Sequence, residues 1–362
     1  MSPPVPKRSR WSLRLVTIAG IEIRLHVTFL ALVALIAVGS TSPEGPGPVA
    51  AVGWLAAVFT SVVLHELAHS FVARRHGIAI VEIELLPIGG VSKMAAAPED
   101  PAVELRIAAA GPAASLAIAA SIGLVAAAAG VALWPPGLYS GNVASRVLWL
   151  NLMLAAFNLL PALPLDGGRV LRAYLQMHLG RARATSVASA IARVLAGAMV
   201  LGGLLVNFWL AVIGAFVYLG ARAEETSVLL HERLAGFRVR DVMISGPMVL
   251  WTQTCAGEVT ARLWSSPQRE FPVVDGGGRP VGLVTATALL AAPPSTTVGA
   301  LMAPVQCVAP DSALEASGVL DSEVGAVVVS DGEHVVGLIR RADVLLLARS
   351  APRPAPPAPT RW

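Results

Sequence analysis

The sequence predicts a polytopic α-helical membrane body of about six spans, followed by a C-terminal α/β unit built from two similar halves. Three observations carry this prediction. Hydrophobic residues make up 55% of the 362 residues and charged residues only 14%, well below the roughly 25% of soluble domains. The apolar excess is confined to the first two-thirds, and beyond about Ala221 charges become frequent and apolar runs short. In that later part a pattern recurs at an offset of about 55 residues.

Taken in chain order, residues 1–24 form a basic segment and 25–222 the membrane body. Candidate spans cover 25–39, 49–73, 105–134, 143–165, 186–206 and 208–221. The first and last are short against the ~20 residues that a ~30 Å hydrocarbon layer requires, a mismatch that tilt or local thinning accommodates. The glycine- and alanine-rich third and fifth spans suit close helix packing. Pro161 and Pro164 break the fourth, and a helix restarts near Gly167. Between the second and third spans, 78–94 alternates apolar and polar residues, turns at Pro87, Ile88, Gly89 and Gly90, then returns as a hairpin. In that alternation Glu82 and Glu84 take a solvated strand face.

Lysines and arginines set the orientation. Lys7, Arg8, Arg10 and Arg14 precede the first span; Arg74 and Arg75 follow the second; Lys93 precedes the third; Arg169, Arg172, Arg181 and Arg183 follow the fourth. The opposite loops, 40–48 and 135–142, hold only Glu44 as a charge. The bias makes this a multi-pass cell-membrane protein with its N-terminus and tail in the cytoplasm. Trp54, Trp134 and Tyr139 fall where an outer aromatic belt belongs. A competing reading takes 7–40 as a signal peptide, which leaves the later spans oriented as before. The net charge of +4 is not gathered into a basic stripe with interleaved aromatics, which argues against direct nucleic-acid binding. Cys255 and Cys307 are isolated thiols in the tail and read as reduced, buried residues.

Between Val49 and Val72 the only ionisable side chains are His65, Glu66 and His69. Each costs about 2.5–3.5 kcal/mol at that depth on insertion scales, so such groups are functional by default. At i and i+4 the imidazoles share a helix face, which lets both ligate one zinc ion with the glutamate beside its open position. A hydrolytic zinc takes a third protein ligand. His69 lies five residues before Arg74, roughly 8 Å inside the end of its helix. Asp166, three residues before Arg169, reaches a similar level at the end of the fourth span. It is the candidate third ligand, with a helix N-cap as its competing role.

Glu66 is placed to act as general base. Glu82 and Glu84 are weaker ligand candidates, His76 and His178 read as interfacial, and His26 as a snorkelling or capping group. Asn151 and Asn158, seven residues apart, share a face of the fourth helix. Asn158 either contacts substrate backbone or satisfies a carbonyl freed by Pro161. A helical substrate must unwind before its carbonyls are open to attack, and a hairpin edge at Gly89 and Gly90 can hold the unwound chain by strand addition. The rival class is a membrane transporter using the buried histidines, glutamate and aspartate as an ion path. A transporter has no need for two histidines flanking a glutamate at this spacing.

Residues 22–221 resemble the site-2 protease family of intramembrane zinc metalloproteases, peptidase family M50. The likeness rests on His65, Glu66, Leu67, Ala68 and His69, on Gly111 and Pro112, and on Asn158, Pro161, Pro164, Leu165, Asp166, Gly167 and Gly168. It implies one Zn²⁺ per chain on His65, His69 and Asp166, with Glu66 as catalytic base and Asn158 as a substrate contact. It also implies cleavage of a single-span regulatory protein, such as an anti-sigma factor or a membrane-tethered transcription regulator, within or near its transmembrane helix.

Many members of that family carry a PDZ domain between their two motif regions, and the loops here are too short for one. The tail is instead similar to a pair of CBS modules, 237–292 and 296–349, with a proline-rich, disordered end at 350–362. Val239 and Met243 recur as Val298 and Met302; Val273, Val274, Gly282 and Leu283 recur as Val328, Val329, Gly337 and Leu338. Each half reads as strand, helix, two strands and helix. CBS pairs often bind adenosine nucleotides through a hydroxyl and an aspartate three residues apart. Here Thr285 is followed by Ala288, and Asp343 is preceded by Arg340, so each nucleotide site is half complete. A homodimer formed through the modules is the alternative role.

Overall fold

The computed structural model describes residues 11–41, 47–87, 89–95, 97–98, 100–134, 142–263, 266–320, 322 and 324–350. Lys7, Arg8, Arg10, Glu44, Ile88, Tyr139 and the proline-rich end from 351 lie outside them. The chain forms two compact units that meet in sequence at Val228.

The first unit opens with strands β1 (Ser12–Ile18) and β2 (Ile21–His26) and helices α1 (Val27–Gly39) and α2 (Pro48–Arg75). Strands β3 (Ile80–Leu86) and β4 (Gly89–Met94) follow, then α3 (Pro101–Ala128), α4 (Val143–Asn158), α5 (Asp166–Leu179), α6 (Arg181–Val206) and α7 (Phe208–Leu234). Helices α2, α3 and α6 are long and apolar enough to cross a membrane, and α1 and α4 are shorter apolar helices. The expected ends of the spans shift because charged residues end an apolar run without ending a helix. Thus α6 begins at Arg181, not at 186, and α7 runs past 221 to Leu234. His26 caps α1, its ring accepting from the Thr28 amide.

The basic segment at 1–24 is more than a charged leader. From Ser12 onward it pairs into a sheet of order β1-β2-β3-β4, with β2 parallel to β3. Ile21, Ile23, Ile83 and Leu85 of this sheet pack with Phe29, Phe59 and Leu67 of the helices. The opposite face is also covered, which corrects the placing of Glu82 and Glu84 on a solvated face: both are buried. Lys93 reaches Glu82 at 2.8 Å and Glu84 at 2.7 Å, and Arg24 lies 3.5 Å from Glu82. Alternation is correct for a strand, but it says nothing of what covers the polar side.

Small residues let the helices approach. Ala188, Ala192 and Ala196 of α6 pack against Val217 and Ala221 of α7 and against Ala162, Leu163 and Leu165. Asn151 links α4 to α2, its amide donating to Ser61 Oγ at 3.0 Å and to the Val147 carbonyl at 2.9 Å.

In the second unit come β5 (Ile244–Ser245), β6 (Leu250–Trp251), α8 (Ala256–Leu263), β7 (Glu270–Val274), β8 (Pro280–Thr285), α9 (Ala286–Ala291) and α10 (Val298–Leu301). Then come β9 (Ala303–Pro304), β10 (Cys307–Val308), β11 (Ala326–Ser330), β12 (Val335–Arg340) and α11 (Arg341–Ser350). The two sheets do not follow the sequence repeats. They run β6-β7-β8-β9 and β10-β11-β12-β5, so each takes its last strand from the leading segment of the other half. Accordingly Val239 packs with Val327, Ile339 and Val344, while Val298 packs with Phe271 and Val284. Each half needs its twin to complete both sheet and core.

Two details of the tail differ from expectation. The helix expected between the first two strands of the second half, β10 and β11, shrinks to a 3-10 turn, Leu314–Ala316. Of the cysteines, Cys255 is half-buried and Cys307 exposed, because in β10 it is Val308 that turns inward.

Candidate metal centre

Helix α2 presents His65 and His69 on one buried face, as the four-residue spacing requires. Asp166 comes to them from the first residue of α5. Its Oδ2 lies 3.0 Å from His65 Nε2 and 3.2 Å from His69 Nε2. The N-cap of α5 is Leu165, and no side chain caps the helix, so the carboxylate is free of that role.

Helix α3 orients both rings. His69 Nδ1 lies 2.6 Å from the Ile107 carbonyl and His65 Nδ1 3.0 Å from Ser115 Oγ. A carbonyl only accepts, so His69 Nδ1 carries a proton, and in the neutral ring this leaves Nε2 as an acceptor turned toward another acceptor, Asp166 Oδ2. One ligand atom from each of His65, His69 and Asp166 lies within 4.8 Å of the others. Convergent acceptors repel unless a cation sits among them, and two imidazoles with one carboxylate make a donor set suited to zinc. The backbone clears the space: a methyl added at Gly111 would overlap the Nε2 atoms of both histidines.

The loop carrying Asp166 is fixed just as closely. A Cβ at Gly167 or Gly168 would strike the backbone of 159–163, so only glycine lets α5 start against the chain that has just turned back. Arg172, buried on α5, pairs with Glu104 of α3 and Glu224 of α7. That pairing ties the aspartate's helix to the one that orients the rings.

Glu66 sits beside the cluster and beneath β4. A Cβ built on Gly90 would come 2.8 Å from Glu66 Cγ and 3.2 Å from Val62 Cγ1, so the strand lies directly on the glutamate. Gly89, at φ 143, opens β4 in a conformation that suits glycine. Asn158 stands apart in its contacts: its amide donates to the Leu154 carbonyl at 3.0 Å, one turn back, and not to a group freed by Pro161. His76 caps the end of α2 and meets Arg106, and His178 stacks edge-on with Tyr174. Glu82 and Glu84 serve Lys93. Burial alone would lower the Lys93 pKa, but hydrogen bonds to the two carboxylates outweigh it and hold the ammonium above its ordinary value.

In the tail, the two candidate nucleotide contacts are engaged locally. Thr285 caps α9, accepting from the Ala288 amide at 3.2 Å. Arg340 grips Asp343 with both ends of its guanidinium, at 2.7 and 2.9 Å.

Sequence reasoning missed Ser115, Arg172 and Glu104. Ser115 carried a usable signal, a hydroxyl one turn after Gly111 within the apolar stretch of α3. The arginine–glutamate pairing carried none, since its members are 68 residues apart.

Comparison with known proteins shows the family. Peptidase family M50 matches residues 53–139 and 137–201. The zinc metalloprotease MJ0392 of Methanocaldococcus jannaschii is 36% identical over 272 residues, 74% of this chain and 76% of its own. Rip3 of Mycobacterium tuberculosis, also named as a zinc metalloprotease, is 34% identical over 382 residues, 95% of this chain and 94% of its own. The solved site-2 protease from Methanocaldococcus jannaschii is 39% identical, covering 59% of this chain and 95% of that one with a TM-score of 0.45. Identity at this level over nearly the whole length shows the family: the chain is a membrane zinc metalloendopeptidase of peptidase family M50, the site-2 protease type.

Proposed function

We propose that the protein hydrolyses a peptide bond within or beside the transmembrane helix of a single-span regulatory protein, with Glu66 as general base. The observation that carries this reading is the stacking of three layers: convergent His65, His69 and Asp166, then Glu66, then β4. Strand β4 is the last strand of its sheet, with no strand paired to its outer side among the described residues, and that edge is the proposed place for another chain. An unwound substrate added there lies over Glu66, with Gly89 and Gly90 keeping side chains out of its way. Asn158, in the final turn of α4 before the aspartate loop, is retained as a substrate contact.

His65, His69 and Asp166 would hold Zn²⁺, which supplies a Lewis acid and lowers the pKa of water to about 7. Glu66 accepts the proton of the attacking water and passes it to the leaving amine. Ser115 and the Ile107 carbonyl keep the rings turned so that both Nε2 atoms remain ligands. The placement of basic residues supports a cytoplasmic N-terminus and tail, with the site near that surface.

The tail is proposed as the regulator. Its Arg340–Asp343 grip favours a docking or homodimerising role over adenosine-nucleotide binding, because the carboxylate that would meet a ribose is already engaged. A closed set of three acceptors beside a general base favours hydrolysis over an ion path.

Co-expression with a library of single-span membrane proteins tests the proposal. Wild type should release soluble fragments that the Glu66→Gln variant does not, while that variant keeps its zinc. Equal fragment yields from the two would overturn the assignment.

A further inference from the structure

The machinery described so far leaves a neighbouring cavity unused. It encloses about 360 Å³ in the membrane unit, bounded by Ser92 and Met94 of β4, by Leu163 and Pro164 before the aspartate, and by three arginines. Of these, Arg172 is neutralised by Glu104 and Glu224. Arg169 and Arg181 make no side-chain hydrogen bond or ion pair with the described residues. Two half-buried guanidiniums thus line one space without an ion-pair partner of their own, since the carboxylates there, Glu104 and Glu224, are held by Arg172. Unpaired charge in a confined site is costly, so this arrangement fits a ligand that brings a negative group.

Position says which ligand. Arg169 stands three residues after Asp166, one turn along the same face of α5. Along β4, Ser92 and Met94 lie two and four residues beyond Gly90, the residue that rests on Glu66. At ~3.3 Å per residue they are roughly 7 and 13 Å from the point of attack. A chain paired to β4 would therefore bring a side chain into the cavity a few residues from its reacting carbonyl. Carboxylate is the group that guanidinium meets with two parallel hydrogen bonds.

We propose that the cavity is an acidic subsite, in which Arg169 and Arg181 hold an aspartate or glutamate of the substrate two to four residues from the cleaved bond, on the Met94 side. The proposal rests on the protease reading above and adds a sequence preference to it.

The test uses the full-length protein in phosphatidylcholine vesicles with a cleavable single-span substrate. Asp, Ala or Lys is placed in turn at each of the five positions on either side of the scissile bond. Wild type should favour Asp over Ala by about tenfold at one position two to four residues away, the worth of a charge-assisted contact. Arg181→Glu should invert that preference, favouring Lys at the same position, and Arg169→Gln should reduce the Asp-to-Ala ratio. The position scan needs no variant, so a misfolded mutant does not decide the matter. A flat scan in wild type, with Glu66→Gln inactive, overturns the subsite alone. A preference that appears only with phosphatidylglycerol in the vesicles, and not with substrate sequence, assigns the arginines to lipid phosphate and overturns it as well. Undiminished cleavage by Glu66→Gln overturns the protease reading and the subsite with it.

Discussion

At Gly111 the backbone of α3 comes against the Nε2 atoms of both histidines, and the space for a metal exists because no side chain is there. A single methyl is enough to close it. Gly111→Ala should abolish zinc binding, giving a metal content near zero by atomic absorption, while the tail keeps its fold. Normal zinc content in that variant would mean that the ligands converge elsewhere. Gly-to-Ala usually stabilises a helix by up to about 1 kcal/mol, so the expected loss runs against propensity and isolates the steric effect. The residues that stood out in the sequence, His65, Glu66, His69 and Asp166, did so because charge is rare in an apolar run. Gly111 stood out only through family resemblance. Its physical role depends on how closely two helices approach, and periodicity does not report that distance.

Among the elements, the four-stranded sheet differs most from its sequence reading. Alternation of Ile and Glu marked β3 as a strand, yet Glu82 and Glu84 are buried with Lys93 between them. Strand β2, which pairs with β3, comes from a segment whose basic residues obscured its apolar Ile21 and Ile23. Pairing between strands so far apart in sequence leaves no local trace, whereas apolar length alone located the long helices α2, α3 and α6 and missed where α7 ends. The buried cluster also makes the sheet vulnerable. Lys93→Met leaves two buried carboxylates facing one arginine and should destabilise the membrane unit by about 3–5 kcal/mol, the usual cost of breaking a buried pair from one side. Adding Glu82→Gln and Glu84→Gln should recover most of that loss. Thermal unfolding in detergent compares the three proteins; if the triple variant is no better than Lys93→Met, repulsion between the carboxylates is not the cause.

For the whole molecule the useful fact is that it forms two compact units, and the second has a titrating group of its own. Such chains need not unfold in one step. In β7 of the tail, Glu270 has a buried Oε2 with no hydrogen-bond partner among the described residues. Burial pushes its pKa above the ordinary carboxylate value; Arg340 pulls it down and Asp343 pushes it up again, and burial wins. A raised pKa in the folded state means that folding favours the protonated form. Its contribution to stability is therefore fully present below the ordinary carboxylate range and is lost as pH rises through the raised value. The folded tail should thus hold least of this contribution at neutral pH. Glu270→Gln, neutral at every pH, should slow hydrogen exchange of the β7 and β8 amides at pH 7 and flatten their pH dependence in the acid range. Amides of α2 and α3 serve as the internal control in the same full-length protein. Equal changes in both sets would show that the two units unfold together, and faster exchange in β7 would show that the Arg340 attraction outweighs burial.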